Sequence, residues 1–360
     1  MKNLLVTGGA GFIGSNFIHF VIGEDPDIRV VNIDLLTYAG NIENLNNLTD
    51  PERHIFVKGN ICDSALVRRT IREQEIDTIV HFAAESHVDR SILDPGLFVQ
   101  TNVVGTFTLL EAAREVWSNG SALSGLGENG VRFHHISTDE VYGSLEPDDP
   151  PFSETTSYAP NSPYAASKAA SDHLVRAYGH TYGLPYTITN CSNNYGPFQF
   201  PEKMIPLMIT NAVEGLDLPI YGDGSQIRDW LYVEDHCRAV WLVLKDGRPG
   251  ETYNIGGDNQ PTNISLVNLL CDLLDEYLPR SSFSPHRNLI KYVKDRPGHD
   301  RRYAMDISKI NQKLGWMPGY TLEEGLKKTV EWYLDNPEWL SAVRKQESYR
   351  EWMNRNYEKR

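Results

Sequence analysis

The stretch "NLLVTGGAGFIGSNF", residues 3–17, decides how this chain is read. A short apolar run ends in a cluster of glycines, and a helix-compatible pattern starts directly after it. Gly8, Gly11 and Gly14 let the turn tighten, let the backbone approach a pyrophosphate, and let the helix pack close to the strand. The helix start then faces negative charge with unpaired N–H groups and a positive dipole end. Three glycines also make ordinary tight turns, so the surroundings matter. Here Asp34 closes a second apolar run 20 residues past Gly14. An acid at that place can accept hydrogen bonds from both hydroxyls of an adenosine ribose and repels a 2′-phosphate. No arginine follows it in "IDLLTYAG" (33–40), so NAD is the expected cofactor rather than NADP.

Outward from this turn, short apolar runs alternate with longer helical patterns. "IRVVNID", "HIFVKG", "DTIVHFA", "VRFHHIS" and "YTITNCS" read as strands, with helical spacing in "DSALVRRTIREQ" and "LFVQTNVVGTFTLLEAAREVW" between them. That rhythm is the signature of repeated βαβ units. The expected fold is α/β: a Rossmann-like doubly wound parallel sheet with a smaller C-terminal α/β substrate domain. "SNGSALSGLGENG" (118–130) reads as a surface loop. After residue 195 prolines increase and strands shorten ("LPIYG", "RDWLYV", "ETYNIG", "LIKYV"). We therefore expect an NAD-binding domain over 1–195, with part of the later chain returning to it. Residues 196–335 form the second domain and 336–360 a helical tail.

The totals narrow the function. With 34 basic and 48 acidic residues among 360, the formal charge is -14, which argues against nucleic acid or an anionic membrane surface as partner. No apolar run approaches the roughly 20 residues that cross a bilayer. The start of the chain reaches glycines too soon for a signal peptide. Cys62, Cys191, Cys237 and Cys271 are widely separated, so neither a disulfide framework nor a zinc site is expected and a cytoplasmic setting fits. His81, His87, His134 and His135 lack helical metal-ligand spacing. They read as core or supporting residues, with no metal.

Two further stretches carry chemistry. "SPYAASKAASDH" (162–173) sets Tyr164 and Lys168 four apart, on one face of a helix. A lysine ammonium beside a phenol favours the phenolate, lowering the tyrosine pKa toward a range useful for a base. The alternative is a core tyrosine with a solvated lysine. "HHISTDEVYG" (134–143) delivers Asp139 and Glu140 to the end of a buried strand, where acids meet solvent or a ligand. A solvated turn or a helix-capping pair is the competing reading.

Gly8-x-x-Gly11-x-x-Gly14, Ser137-Thr138 and Tyr164-x-x-x-Lys168, in that order, resemble the extended short-chain dehydrogenase/reductase superfamily. Within it, "AAESHVDRS" (83–91), "STDEVYG" (137–143), "CSNNYGP" (191–197), "FPEKMIPL" (200–207), "QIRDWLYVEDH" (226–236) and "KDRPGHDRRYAMD" (294–306) resemble the dTDP-glucose 4,6-dehydratase family, from residue 1 to about 335. The resemblance implies a recycled NAD, dTDP-glucose as substrate, deoxysugar synthesis and a homodimer joined by helices near 97–117 and 163–182. It implies Tyr164 as base for the 4-hydroxyl with Thr138 and Lys168 beside it, Glu140 as base at carbon 5, and Asp139 as acid for the departing 6-hydroxyl. Asp139 then needs a raised pKa. Cofactor contacts carried over are Gly8, Gly11, Phe12, Ile13, Gly14, Asp34, Leu35, Thr37, Asn60, Ile61, Ala83, Ala84, Ser86, Thr101, Ser137, Tyr164, Lys168 and Asn194. Asn60 departs from the family, which usually has Asp there; an amide can still serve an adenine edge. Substrate contacts are Ser86, Thr138, Asn193, Glu202, Lys203, Met204, Pro219, Tyr221, Arg228, Asn263, Asp295, Arg296 and His299. Guanidinium forks at Arg228 and Arg296 suit a diphosphate, although each could also be an interdomain salt bridge. GDP-mannose dehydratases and decarboxylases of the superfamily usually carry Ser-Glu where Asp139-Glu140 stands, and epimerases typically lack both acids. The competing functions are therefore a UDP-sugar epimerase or decarboxylase, or a non-catalytic NAD sensor.

Overall fold

The structure, a computed structural model, describes residues 1–119, 130–295 and 299–356. Its central sheet has seven parallel strands. In chain order the first six are β1 (Asn3–Thr7), β2 (Arg29–Asp34), β3 (His54–Lys58), β4 (Thr78–His81), β5 (Arg132–Thr138) and β6 (Tyr186–Cys191). The short pieces β7 (Asn193–Tyr195), β8 (Leu218–Tyr221) and β9 (Trp230–Tyr232) follow, then β10 (Thr252–Ile255) and β11 (Ile290–Val293). Strand order across the sheet is β10-β6-β5-β4-β1-β2-β3. The chain runs outward from β1 through β2 to β3, then returns to β4 on the other side of β1. Helices flank both faces, so the central strands are buried on both sides and read as continuous apolar runs. Leu4, Leu5 and Val6 of β1 are fully buried, Leu4 and Val6 toward one face and Leu5 toward the other. The reversal of direction beside β1 opens a crevice at the carboxyl ends of β1 and β4, where ligands bind in such sheets.

The helices follow local chemistry. They are α1 (Phe12–Glu24), α2 (Ser64–Glu73), α3 (Val88–Leu93), α4 (Pro95–Phe98), α5 (Gly105–Asn119) and α6 (Pro163–Tyr182). Beyond them lie α7 (Met204–Glu214), α8 (Val233–Asp246), α9 (Asn263–Tyr277), α10 (Ser308–Leu314), α11 (Leu322–Asp335), α12 (Pro337–Lys345) and α13 (Glu347–Asn356). Ser162 caps α6 by accepting Ala165 N–H, Pro163 occupies its first turn, and Gly183 ends it in the left-handed region.

The "ETYNIG" strand joins the main sheet as β10 beside β6, and α8 packs on α1. Two details differ from the sequence pattern. The apolar run from 97 to 117 is not one α-helix: residues Val99–Val104 form a π turn between α4 and α5. There Asn102 is buried, accepting Glu85 N–H and donating to Glu85 O and Ser167 Oγ. The π turn carries a polar side chain at a place where periodicity alone predicts an apolar one. Finally, α5 continues to Asn119, two residues into the segment expected as a loop, while residues 120–129 lie outside the described residues.

Around residues 196–335 a second core gathers Ile205, Met208 and Ile209 of α7, Leu266, Leu270 and Leu274 of α9, and Leu326 and Val330 of α11. The parallel pairs β8–β11 and β7–β9 contribute Leu218, Ile220, Tyr195, Trp230 and Tyr232 to it. No helix among the described residues is long and apolar enough to cross a membrane.

Candidate active site

One cavity of about 630 Å³ spans the crevice between the sheet's carboxyl edge and the elements around β8 and α7. Its nucleotide end starts at the turn after β1. Gly8 has φ +72°, and a Cβ there would sit 2.7 Å from the Ala83 backbone. A Cβ on Gly14 would sit 2.3 Å from the Gly8 carbonyl oxygen. The turn thus fits only without side chains, which leaves its backbone open to a bulky anion at the start of α1. Both Asp34 carboxylate oxygens accept backbone N–H groups, from Ala10 at 3.0 Å and Leu36 at 2.8 Å. Burial pushes the Asp34 pKa up and these two bonds oppose it. All eighteen residues expected to touch the cofactor line this cavity. Asn60 is among them, with its Oδ1 accepting Cys62 N–H at 2.9 Å. The cradle, the ribose-side acid and the cavity fit a dinucleotide.

Deeper in, β5 ends at Thr138 and turns into a short 3₁₀ segment, Asp139–Tyr142. Asp139 is 1% exposed. Its Oδ1 accepts from the Thr138 hydroxyl at 3.1 Å, while Oδ2 has no hydrogen-bond partner. Burial raises the Asp139 pKa well above the ordinary carboxylate value, and the neighbouring Glu140 and Asp229 add to it. Tyr164, on α6, lines the same cavity.

The Tyr164–Lys168 pair departs from the simple phenolate picture. Lys168 Nζ donates to the Ile136 carbonyl at 2.7 Å and lies 3.4 Å from His135 Nε2. Tyr164 is pushed up, not down: burial is the largest cause, followed by Glu140 and Cys191. Carboxylates around a dry phenol oppose its ionisation more than a lysine engaged elsewhere favours it. Lys168 itself is pushed down to about 8 by burial, with Asp172 and Cys191 opposing.

Behind this pair lies a polar network that the sequence reading missed. Asp172 accepts from Ser137 Oγ at 2.8 Å and from the Tyr158 hydroxyl at 2.7 Å, and Arg176 donates to Tyr158 at 2.8 Å. The signal was present as Tyr164, Lys168, Asp172 and Arg176, each four residues from the last on one face of α6. His81 bonds Thr7 and Thr106, and His134 bonds Thr187, so both act as buried supports.

The far end of the cavity is lined by Ser86, Asn193, Glu202, Lys203, Met204, Pro219, Tyr221, Arg228, Asn263 and His299. The buried Oδ1 atoms of Asn193 and Asn263 have no hydrogen-bond partner. The Arg228 guanidinium lies 4.4 Å over the Tyr303 ring and donates to the Ile227 and Asp300 carbonyls. Glu202 accepts from Arg90 Nε at 3.2 Å and Nη2 at 2.9 Å. Asp295 is not on the cavity wall; it bonds His299 Nδ1 at 2.7 Å and so braces a wall residue. Arg296 lies outside the described residues. Among the described residues no group of three or more His, Cys, Asp or Glu side chains is placed to hold a metal.

Comparison with known proteins fits this geometry. The family model described as GDP-mannose 4,6 dehydratase matches residues 5–329. A dTDP-glucose 4,6-dehydratase of Escherichia coli K12 is 57% identical over 365 aligned positions, covering 99% of both chains. The dTDP-glucose 4,6-dehydratase of Xanthomonas campestris pv. campestris B100 is 58% identical, covering 95% of this chain and 96% of that one. The chain belongs to the dTDP-glucose 4,6-dehydratase family. Among solved structures, the dehydratase DesIV of Streptomyces venezuelae, a double mutant with NAD bound, matches with TM-score 0.85 and 46% identity over 95% of this chain and 100% of that chain. In this dehydratase, then, one cavity joins the glycine turn and Asp34 to the polar far wall, and the buried Asp139 carboxyl lines it as well.

Proposed function

We propose that this enzyme converts dTDP-glucose to dTDP-4-keto-6-deoxyglucose and water. NAD, held along Gly8, Gly11, Gly14 and Asp34, supplies the acceptor and later the donor of one hydride, so no net oxidation accumulates. The chain's own residues handle the protons. Tyr164, in its ionised form, takes the proton of the 4-hydroxyl, which Thr138 steadies by hydrogen bonding. A ketone at carbon 4 acidifies the carbon 5 hydrogen, which Glu140 removes as a proton and gives back to carbon 5 once carbon 6 has been reduced. Asp139 protonates the 6-hydroxyl as it leaves, and the proton and hydroxyl depart as water. Arg228, Asn193 and Asn263 hold the nucleoside diphosphate end.

The observation that carries this reading is the Asp139 carboxyl: buried beside Thr138, unbonded at Oδ2, with a pKa that burial raises. A neutral acid is what a departing hydroxyl requires. An epimerase has no use for it. The family description also covers GDP-mannose dehydratases, and Asp139 favours the dTDP-glucose reaction over that one.

Incubating purified protein with dTDP-glucose, without any other redox partner, tests the reading by product mass and NMR. The expected product has lost one water and carries the former carbon 4 hydrogen at carbon 6. Galactose of unchanged mass would overturn the proposal. UDP-glucose in parallel measures carrier preference; one methyl in an apolar pocket is worth about 1–3 kcal/mol.

We further propose that the enzyme works as a homodimer in the cytoplasm. Phe107 of α5 and Tyr182 of α6 are large apolar side chains, 46% and 50% exposed, on helices suited to pair with a second copy. Four free thiols suit a reducing compartment. Light scattering of the purified chain tests the first point.

A further inference from the structure

Helices α12 and α13, residues Pro337–Asn356, lie beyond the stretch matched by the family model, yet they pack on the wall of the NAD cavity. Two anchors tie them there. The first reaches the glycine turn. The Trp339 indole N–H donates to Asn44 Oδ1 at 2.7 Å, and Asn44 Nδ2 donates to the Ala10 carbonyl at 2.9 Å. Ala10 sits between Gly8 and Gly11, and Asn44 is 1% exposed, so this link is shielded from water.

The second anchor reaches the loop after Asp34. The Arg90 guanidinium is stacked between the Tyr38 ring, 3.8 Å away, and the Trp352 ring, 4.2 Å away. Tyr38 lines the cavity together with Glu202, the acid that Arg90 grips. Next to this stack, Phe200 packs edge-on against both Tyr38 and Tyr349. Trp352 and Tyr349 are each 5% exposed, so α13 buries both rings on the cavity wall.

We propose that α12 and α13 form a strap that retains NAD, with Trp352 as the positioning residue that holds Tyr38 and its loop closed along the nucleotide. The inference rests on the dehydratase reading, in which the hydride returns to the same sugar and exchange of cofactor between turnovers serves no purpose. A strap fixed to both the glycine turn and the loop after Asp34 must loosen before the nucleotide can leave. It acts on release, not on the proton transfers at Asp139, Glu140 and Tyr164.

The test compares wild type, Trp352→Ala and Trp352→Phe. Phenylalanine keeps a ring against Arg90 and gives up only an indole N–H that makes no hydrogen bond. NAD per chain is measured after gel filtration, and NAD release is timed by capture with excess alcohol dehydrogenase and ethanol. The alanine variant should release NAD at least roughly tenfold faster, with kcat at saturating added NAD within about twofold of wild type. The phenylalanine variant should release it at close to the wild-type rate. Equal retention in a folded alanine variant overturns the strap. If alanine prevents cooperative melting, Tyr349→Leu, which frees the same helix from Phe200, decides by the same readout. A wild-type chain that never binds NAD would instead overturn the dehydratase reading.

Discussion

His135 Nε2 lies 3.1 Å from an Asp172 carboxylate oxygen, with both side chains wholly buried behind the Tyr164–Lys168 pair. Burial drops the His135 pKa to about 4, so the ring is neutral at ordinary pH and the carboxylate keeps its charge. Asp172 is held below the usual carboxylate value: burial opposes this, and His135, Lys168 and Tyr158 outweigh it. The negative charge that keeps Lys168 protonated therefore comes from Asp172, one helical turn further along α6.

That arrangement predicts a pH dependence. Lys168 is charged below about 8 and loses its proton as pH rises through that value, so kcat should fall on the alkaline side near pH 8. Asp172→Asn removes a group that raises the Lys168 pKa. The alkaline limb should move to lower pH by about one unit or more. Coincident limbs in the kcat–pH profiles of the two proteins would show that Asp172 only braces Ser137 and Tyr158.

Gly14→Ala tests the nucleotide cradle. The added Cβ would lie 2.3 Å from the Gly8 carbonyl oxygen and 2.8 Å from Gly9 Cα, both backbone atoms that cannot swing aside. Overpacking of this kind costs about 1–3 kcal/mol. The variant should melt earlier and purify with far less NAD per chain than wild type. Full NAD occupancy would mean the turn can widen without losing its grip.

The sheet was legible because parallel strands covered on both faces carry apolar runs, and "NLLVT" followed by spaced glycines has few other uses. Asp139 stood out for a related reason: a carboxyl directly after buried Ile136, Ser137 and Thr138 has to face something. Other parts had no local signature. The Arg90–Glu202 pair joins residues 112 apart, and the Trp339–Asn44 bond joins residues 295 apart. No periodicity encodes such partners. The raised Tyr164 pKa has no local signature because it depends on how dry the site is and on acids from the 3₁₀ segment after β5. Asn102 has none either, because the π turn that buries it breaks the 3.6-residue rhythm.

Arg228→Lys separates binding from chemistry. The guanidinium lies 4.4 Å over the Tyr303 ring while donating to two backbone carbonyls, a geometry an ammonium cannot copy. The lysine variant should raise KM for dTDP-glucose by about 10- to 100-fold with kcat changed only a few-fold. Steady-state kinetics at saturating NAD checks this. A collapse of kcat at unchanged KM would move Arg228 from the diphosphate to the reacting end.

Asp139→Asn is the most direct test of the acid. The amide is nearly isosteric and can still meet the Thr138 hydroxyl, so Tyr164 and the cofactor end should keep their places. It cannot give up a proton as a carboxylic acid does. Oxidation at carbon 4 should continue, visible as the near-ultraviolet absorbance of reduced cofactor after mixing with dTDP-glucose. Release of the 6-hydroxyl should slow by about 100- to 10,000-fold, so that absorbance persists instead of decaying. In wild type, elimination follows and the signal stays low. Because burial disfavours the charged carboxylate, the uncharged amide should also leave the fold at least as stable at neutral pH. Equal loss of oxidation and elimination in a variant that melts like wild type would show that Asp139 shapes the site without acting as its acid.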